Sequence, residues 1–218
     1  MSRIVLVRHG ESMATVEQRI AGYRTCTGLS PLGIKQTEAL ALRWTEQAEF
    51  VCDRLIASDF ARATQTAAIL APALHREVRI DPNFGEHDPG PGIDGMTFAA
   101  YNERFPDFSK AWNAGDAYAD MFPGGETVAD FHLRVGHALY QLTNELVSPE
   151  PDNPATAVVV CHGGVIDAIL RLALKAPPMG GFQLFTANTS ITEMTLISPN
   201  MWRIQRYNDA AHLRGLSG

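Results

Sequence analysis

The chain has 218 residues, of which 45% are hydrophobic and 19% charged, with a net charge of −6 at pH 7, values that fit one soluble α/β domain. The acidic balance without a basic stripe argues against a nucleic-acid binder, and no apolar stretch could span a bilayer. Cys26, Cys52 and Cys161 lack the spacing of a disulfide framework or a zinc knuckle, and the first strand starts directly after Met1 without room for a signal peptide, so we expect a cytoplasmic protein with reduced thiols.

Strand and helix signals alternate along the chain, which is typical of α/β folds. The predicted strands are short apolar runs at residues 4–7, 55–57, 78–80, 157–161, 190–197 and 202–207. The predicted helices cover residues 32–46, 60–73, 128–146 and 165–174. Start signals stand before three of them: a capping serine with a first-turn proline (Ser30, Pro31), a capping pair (Ser58, Asp59) and a capping box (Thr127, Asp130).

Two segments connect these elements. Residues 82–95 contain four glycines and three prolines, which predicts a loop of fixed geometry. Residues 149–154 are rich in proline and acidic residues, which predicts a surface connection.

Two histidines follow predicted strands directly. Arg8-His9-Gly10 ends the apolar run at residues 4–7, and His162-Gly163-Gly164 ends the run at residues 157–161. Continuous apolar runs suit parallel strands that are covered on both faces, and ligands bind beyond the carboxyl ends of such strands. The sequence therefore predicts one site that contains both histidines, although about 150 residues separate them.

The residue types at this edge suit phosphate chemistry. The guanidinium groups of Arg8 and Arg62 match phosphate oxygens, and helix starts add backbone donors. A neutral imidazole such as that of His9 can attack phosphorus, while His162 can stabilise charge on the equatorial oxygens. A carboxylic acid must protonate the departing alkoxide and later deprotonate water, and Glu86 in the rigid loop fits this role.

These motifs resemble those of the histidine phosphatase superfamily, also called the phosphoglycerate mutase-like family. Its RHG motif is matched by Arg8-His9-Gly10, and its HGG motif by His162-Gly163-Gly164. Its second-arginine segment is matched at residues 58–67, its E-x-x-x-G segment at residues 86–90, and its accessory segments at residues 29–36 and 123–127. The resemblance implies a three-layer α/β/α sandwich with a mixed, mostly parallel six-stranded sheet that has one antiparallel strand. It also implies a single domain over residues 1–218, with a cap-like insertion at about 87–123.

The resemblance further implies which residues form the site. The catalytic residues are His9, Glu86 and His162; the phosphate-binding residues are Arg8, Arg62, Thr15 and Gly163. Neither a metal nor a cofactor is implied. Thr15 stands near the place where many members have an asparagine. The acid/base segment carries one extra residue, so His87 and Asp88 remain open as substitutes for Glu86. We expect Glu11 and Arg134 to be structural, and His132 to be an ordinary surface or core histidine.

Two other classes of function remain as alternatives. A metallohydrolase could use His9, His87 and His162 as ligands with Glu86 as base, but the sequence has no HxH or HExxH spacing, and two arginines would repel a dication. A non-catalytic phosphate-binding module predicts a broken motif, whereas both histidines and both arginines are present.

Within the family, the predicted cap at residues 96–122 distinguishes a phosphatase from a mutase. A mutase must exclude water and bind a substrate with several negative charges. The cap has seven aromatic residues, two basic residues (Arg104, Lys110) and four acidic residues (Glu103, Asp107, Asp116, Asp120). We therefore predict a phosphatase for a small-molecule monophosphate whose leaving group is apolar, a sugar or cationic, with a phosphoglycerate mutase as the alternative. A homodimer is compatible with this prediction, and the sequence leaves the oligomeric state open.

Overall fold

The described part of the computed structural model comprises residues 2–114, 121–146, 154–198 and 201–216. The surface connection predicted at residues 149–154 therefore lies, except for residue 154, outside the described residues. Across the four described ranges, no helix has the length and apolar character that crossing a membrane requires.

One sheet of six strands runs through the described structure: β1 (Arg3–Arg8), β2 (Arg54–Ala57), β3 (Val78–Ile80), β4 (Thr156–Cys161), β5 (Ile191–Ser198) and β6 (Met201–Asp209). The spatial order is β3-β2-β4-β1-β5-β6. β1 pairs in parallel with β4 and antiparallel with β5, and β5 pairs antiparallel with β6. β5 is therefore the antiparallel strand of this sheet, and the predicted mixed, mostly parallel six-stranded arrangement is confirmed.

The described helices are α1 (Met13–Val16), α2 (Pro31–Gln47), α3 (Ala61–Leu74), α4 (Phe98–Arg104), α5 (Pro106–Ala114), α6 (Val128–Leu146) and α7 (Gly163–Leu174), with 3₁₀ helices at Pro82–Phe84 and Ala211–Leu213. The four long helices α2, α3, α6 and α7 were predicted from the sequence. The short helices α1, α4 and α5 were missed, because apolar periodicity needs about three helical turns to show.

The sheet is covered on both faces, which gives three layers. Ile4 and Leu6 of β1 pack with residues of α6 and α7 in one buried cluster. Val5 and Val7 of the same strand pack with residues of α2 and α3 in a second buried cluster. Successive side chains of a strand point to opposite faces, so a strand between two helical layers must be apolar throughout. The predicted α/β/α sandwich is confirmed.

Two of the three predicted helix starts are present. Ser30 accepts a hydrogen bond from the amide of Gly33 before Pro31 begins α2, and Thr127 accepts one from the amide of Asp130 at the start of α6. The capping pair Ser58 and Asp59 was wrong: the residue before α3 is Phe60, whose side chain makes no cap bond. The Ser58 hydroxyl instead accepts from the amide of Phe60 at 3.2 Å, before the helix begins, and lies 2.8 Å from Nε2 of His162 after β4.

The segment at about 87–123, expected as a cap, contains α4 and α5 in its described part. Beneath them a small third cluster of buried residues is formed by Ile20, Ile93, Tyr101 and Phe122. The backbone of this segment packs closely against Gly124 at Gly90, where a Cβ atom would lie 2.6 Å from the carbonyl oxygen of Gly124. Gly90 also has a φ of +76°. Only glycine fits this combination of positive φ and close approach.

Candidate active site

A cavity of about 600 Å³ lies at the carboxyl ends of β1 and β4. Its wall includes every residue that the sequence assigns to phosphate binding or catalysis except His162: Arg8, His9, Thr15, Arg62, Glu86 and Gly163. His162 is fully buried directly behind the wall, with its ring centroid 5.1 Å from that of His9. The fold therefore brings together residues from four separate segments of the chain.

His9 follows β1 and is 5% exposed. Its Nδ1 lies 2.6 Å from the carbonyl oxygen of Gly10, which can only accept, so Nδ1 carries the proton in this arrangement. The Nε2 atom then keeps its lone pair and accepts a hydrogen bond from Nε of Arg62 at 3.1 Å. Burial, with further contributions from Arg62 and Arg8, lowers the pKa of His9 well below its usual value of 6.5. The imidazole is thus neutral, with its lone pair on Nε2, which is the form that can attack phosphorus.

His162 is the residue before α7 and shares a donor with His9. Its Nδ1 accepts from Nε of Arg62 at 3.3 Å, and its Nε2 lies 2.8 Å from the hydroxyl oxygen of Ser58. Burial is the largest cause that lowers the pKa of His162 well below 6.5, followed by the charge of Arg62. Ser58, also fully buried, therefore fixes the ring through the Nε2 proton. The sequence motif included Ser58, but its position before a predicted helix indicated a helix cap and gave no sign of a hydrogen bond to His162.

Arg62 stands in the first turn of α3 and is 6% exposed. Its Nη1 donates to the carbonyl oxygen of Ala21 at 3.0 Å and to the sulfur of Cys26 at 3.4 Å. Its guanidinium carbon lies 4.7 Å from the ring centroid of Phe60. Among the described residues nothing accepts from Nη2 of this arginine, so that nitrogen is available to an anion in the cavity.

Arg8 ends β1 beside the first turn of α7. Its Nη1 donates to the carbonyl oxygen of Thr186, whereas its buried Nε has no hydrogen-bond partner among the described residues. A Cβ atom placed on Gly163 would lie 3.7 Å from that Nε. An unpaired buried donor is costly, and here it adjoins a helix N-terminus. Together these donors form a cradle for an anion such as phosphate.

Glu86 reaches the start of α7. Its Oε2 accepts from the amide of Gly164 at 3.0 Å, and its Oε1 accepts from the amide of His87 at 3.0 Å. A Cβ atom on Gly164 would lie 2.3 Å from Oε1 of Glu86, so the second glycine of the motif is what admits the carboxylate. The acid is therefore placed at the edge of the anion cradle.

The two substitutes for Glu86 have other partners. The His87 ring stacks on Phe131, and its Nε2 lies 2.6 Å from the carbonyl oxygen of Glu126. Asp88 forms an ion pair with Arg24 at 3.0 Å and does not line the cavity. The geometry thus favours Glu86 as the proton donor.

Arg134 organises the loop that carries Glu86. It donates to both carboxylate oxygens of Glu126 at 2.8 Å, and to the carbonyl oxygens of Asn83 at 2.9 Å and Gly85 at 3.1 Å. These bonds agree with the structural role expected for Arg134, since they anchor the backbone of the loop. Glu11 also has a structural contact, since its carboxylate accepts a hydrogen bond from the hydroxyl of Ser30 at 2.7 Å.

Thr15 lies in α1 and is exposed to the cavity. Its hydroxyl oxygen lies 3.1 Å from the hydroxyl oxygen of Ser12. The Ser12 hydroxyl also caps α1 by accepting from the amide of Thr15 at 3.3 Å. Ser12 therefore holds Thr15 at the cavity wall.

The acidic residues of the predicted cap that the structure describes are not part of the cavity wall. Glu103 and Asp107 are exposed and do not line the cavity, whereas Phe98 and Phe122 do. Asp116 and Asp120, together with Tyr118 and the side chain of Trp112, lie outside the described residues.

Sequence reasoning missed several polar residues of the cavity wall, including Asp167 and His132. Asp167 lines it from α7, four residues after Gly163 and thus on the same helix face, a spacing that could have revealed it. His132 lines it from α6 and was expected to be ordinary; its Nδ1 lies 3.0 Å from the carbonyl oxygen of Val128. In the described ranges no group of three His, Cys, Asp or Glu side chains could hold a metal ion, so His9, His87 and His162 do not converge as ligands.

Comparison with known families gives one match over almost the whole chain. The model of the histidine phosphatase superfamily, branch 1, matches residues 4–210. This range includes all of the site residues above.

Known proteins with similar sequences and structures carry both phosphatase and mutase names. A probable phosphoglycerate mutase of Proteus mirabilis is 30% identical, over 100% of this chain and 97% of the relative. A metal-independent phosphoserine phosphatase of Arabidopsis thaliana is 28% identical, over 98% of this chain and 84% of the relative. The solved structure of a mycobacterial glucosyl-3-phosphoglycerate phosphatase with inorganic phosphate is 28% identical, with a TM-score of 0.77, and the match covers 97% of this chain and 99% of that one.

Proposed function

The chain belongs to branch 1 of the histidine phosphatase superfamily, and we propose that it is a metal-independent phosphomonoesterase that passes the phosphoryl group through His9. The observation that carries this proposal is the neutral imidazole of His9, whose Nε2 lone pair is directed at Arg62 in a cavity with unpaired arginine donors. Relatives named as phosphatases support hydrolysis of small-molecule phosphate esters.

In the first step, Nε2 of His9 attacks phosphorus and the bond from phosphorus to the ester oxygen breaks. Arg8, Arg62 and the first turn of α7 hold the phosphate oxygens during this transfer. Glu86, in its carboxylic acid form, gives its proton to the departing alkoxide. The products are the free alcohol, a phosphohistidine at His9 and a carboxylate at Glu86.

In the second step, Glu86 takes a proton from water, and the water oxygen attacks phosphorus. The bond between phosphorus and Nε2 of His9 breaks, which releases inorganic phosphate and restores the lone pair. One water is consumed and Glu86 regains its proton, so the enzyme returns to its starting state.

His162 supports both steps from behind the nucleophile. The pKa of its imidazole is lowered by burial and by the positive charges of Arg62 and Arg8. A bound phosphate dianion offsets those charges and thereby favours a proton on His162. The protonated ring then stabilises the charge on the equatorial oxygens.

Hydrolysis is favoured over transfer by the charges of the cavity wall. Besides Arg8 and Arg62, the cavity wall contains Arg19. Arg19 already pairs with Glu17 at 3.0 Å and donates to the carbonyl oxygen of Gly95 at 2.9 Å. A substrate with several negative charges needs more free cations than this. The mutase name of one relative keeps a phosphoglycerate mutase as the second candidate.

The proposal includes the organisation and location of the protein. We treat residues 1–218 as one domain in which the segment at about 87–123 forms the cap over the cavity. A cytoplasmic location is supported by the three cysteines, none of which forms a disulfide. A homodimer is compatible with the site, which is complete within one chain.

Phosphate release from p-nitrophenyl phosphate and from 3-phosphoglycerate tests the proposal. We expect hydrolysis of both in the presence of a chelator, with free phosphate formed faster than 2-phosphoglycerate and no acceleration by 2,3-bisphosphoglycerate. Bisphosphate-dependent isomerisation would establish the mutase instead. Phosphate binding without turnover of any ester would establish a binding module.

A further inference from the structure

Asp167 is a wall residue of the active-site cavity. It is four residues after Gly163 on α7, and four residues of helix rise by about 6 Å. Because Gly163 adjoins Arg8 at the anion cradle, Asp167 lies about one helical turn away from that cradle. Its side chain is 23% exposed, and it contributes to the cavity wall.

One oxygen of this carboxylate is held and the other is open. Oδ2 of Asp167 accepts from Nε of Arg171 at 2.6 Å, an ion pair in which the arginine is almost fully buried. No described residue donates to Oδ1 of Asp167. A carboxylate oxygen that lines a cavity and receives no hydrogen bond from the protein can accept one from a ligand.

Arg171 fixes the position of Asp167 and does not enter the cavity itself. Its two terminal nitrogens donate to the carbonyl oxygens of Pro177, Gly180 and Phe182 at 2.7–3.0 Å. This holds the loop after α7, from which Pro178 and Met179 line the cavity beside Asp167. The carboxylate is therefore a rigid part of the wall.

Apolar side chains also line the cavity, among them Phe98, Phe122, Phe131 and Leu184. The charge of Asp167 is paired with Arg171, but its open oxygen can only accept, so a hydrogen-bond donor is favourable beside it and a second carboxylate is not. The cavity wall thus combines the arginine donors of the anion cradle with a fixed acceptor one helical turn along α7.

We propose that Asp167 determines specificity by accepting a hydrogen bond from a hydroxyl or ammonium group of the leaving group. The enzyme therefore selects phosphomonoesters whose leaving group is uncharged or cationic over those that carry a carboxylate or second phosphate at this position. This inference rests on the proposed function, because it concerns the substrate of the same site.

Two substrates that differ at one group provide the test. Glycerol 3-phosphate and 3-phosphoglycerate share a phosphorylated three-carbon chain, but one ends in a hydroxymethyl group and the other in a carboxylate. We expect the ratio of their kcat/KM values to favour glycerol phosphate by about tenfold or more in the unmodified enzyme. Asp167→Asn should lower this ratio by about tenfold, because the amide offers an N–H donor to the carboxylate.

Three further measurements make the outcome decisive. Asp167→Glu keeps the charge and should keep the preference, whereas Asp107→Asn on the exposed surface of α5 should leave the ratio unchanged. Phosphoethanolamine distinguishes an ammonium donor from a hydroxyl donor. When Asp167→Asn removes the charge of the carboxylate, kcat/KM should fall more for phosphoethanolamine than for glycerol 3-phosphate. Activity is referred throughout to p-nitrophenyl phosphate measured on the same preparation.

A preference of the unmodified enzyme for 3-phosphoglycerate would overturn the inference. It would also be overturned if Asp167→Asn had the same ratio of kcat/KM values for the two substrates as the unmodified enzyme. Both results would leave the phosphatase itself intact. Absence of phosphate release from every ester, including p-nitrophenyl phosphate, would instead reject the proposed function and the inference with it.

Discussion

The Nε atom of Arg62 donates a hydrogen bond to Nε2 of His9 at 3.1 Å, the atom that we propose attacks phosphorus. The same nitrogen also donates to Nδ1 of His162 at 3.3 Å. In the proposed mechanism, phosphate oxygens are charged acceptors and therefore stronger partners for this donor than an imidazole nitrogen. We therefore expect phosphate binding to free the Nε2 lone pair of His9 for attack.

Replacing the nucleophile should abolish turnover without unfolding the protein. We expect His9→Ala to lower kcat by about three orders of magnitude or more, because no other side chain at the cradle can accept the phosphoryl group. His137, an exposed histidine on α6, provides the control His137→Ala, which should retain full activity. Acid-labile phosphate found after quenched turnover on a peptide lacking His9 would contradict the assignment.

Removing the proton donor should affect good and poor leaving groups differently. Glu86→Gln keeps an oxygen that can accept from the amide of Gly164 but cannot give a proton. We expect kcat to fall by about 10²-fold or more for alkyl phosphates and by much less for p-nitrophenyl phosphate, whose leaving group hardly needs a proton. Glu103→Gln on the exposed surface is the matched control. Equal losses on both substrates would show that Glu86 is structural.

The hydroxyl of Ser58 should matter for both stability and catalysis. Ser58→Ala leaves Nε2 of the fully buried His162 without its partner at 2.8 Å. We expect urea denaturation to show a loss of about 1–3 kcal/mol in the free energy of unfolding. We also expect kcat to fall while KM changes little, because the ring loses its orientation. The control is Ser109→Ala, which removes a hydroxyl that donates to the exposed Asn102. It should change neither the free energy of unfolding nor kcat. Unchanged kcat in Ser58→Ala would contradict the role.

The lowered pKa of His9 should appear as a pH dependence of stability. The unfolded chain binds a proton at this histidine near pH 6.5, whereas the folded protein binds it only at a much lower pH. Since the unfolded state then holds more protons, the free energy of unfolding should fall as the pH drops below 6.5, by up to about 1.4 kcal/mol per pH unit from this residue. Urea denaturation of the unmodified protein and of His9→Asn between pH 7 and 5 measures the difference. Parallel curves for the two proteins would show that His9 is protonated normally in the fold.

The amino-acid sequence alone determined the layers and the ends of the main strands. Short apolar runs without alternation that end at glycine, such as Ile4 to Val7, favour strands covered on both faces, and a histidine at the end of each parallel strand therefore reaches the same edge. The caps Ser30 and Thr127 act within a few residues of their helices, so local spacing was enough to find them. The motif residues at the cavity follow from these same elements.

Tertiary structure alone decided how the side chains divide the site. Besides the nearby amide of Phe60, Ser58 has a partner 104 positions away in His162, and the helix cap that its own neighbours suggested is absent. Which of these acids lines the cavity was likewise decided by packing: Glu103 and Asp107 are exposed on α4 and α5, whereas Asp167 of α7 lines the cavity. A sequence records which residues share a helix face or a strand face. Which face meets the cavity depends on strand order and helix packing, and those are set by contacts between residues far apart in the chain.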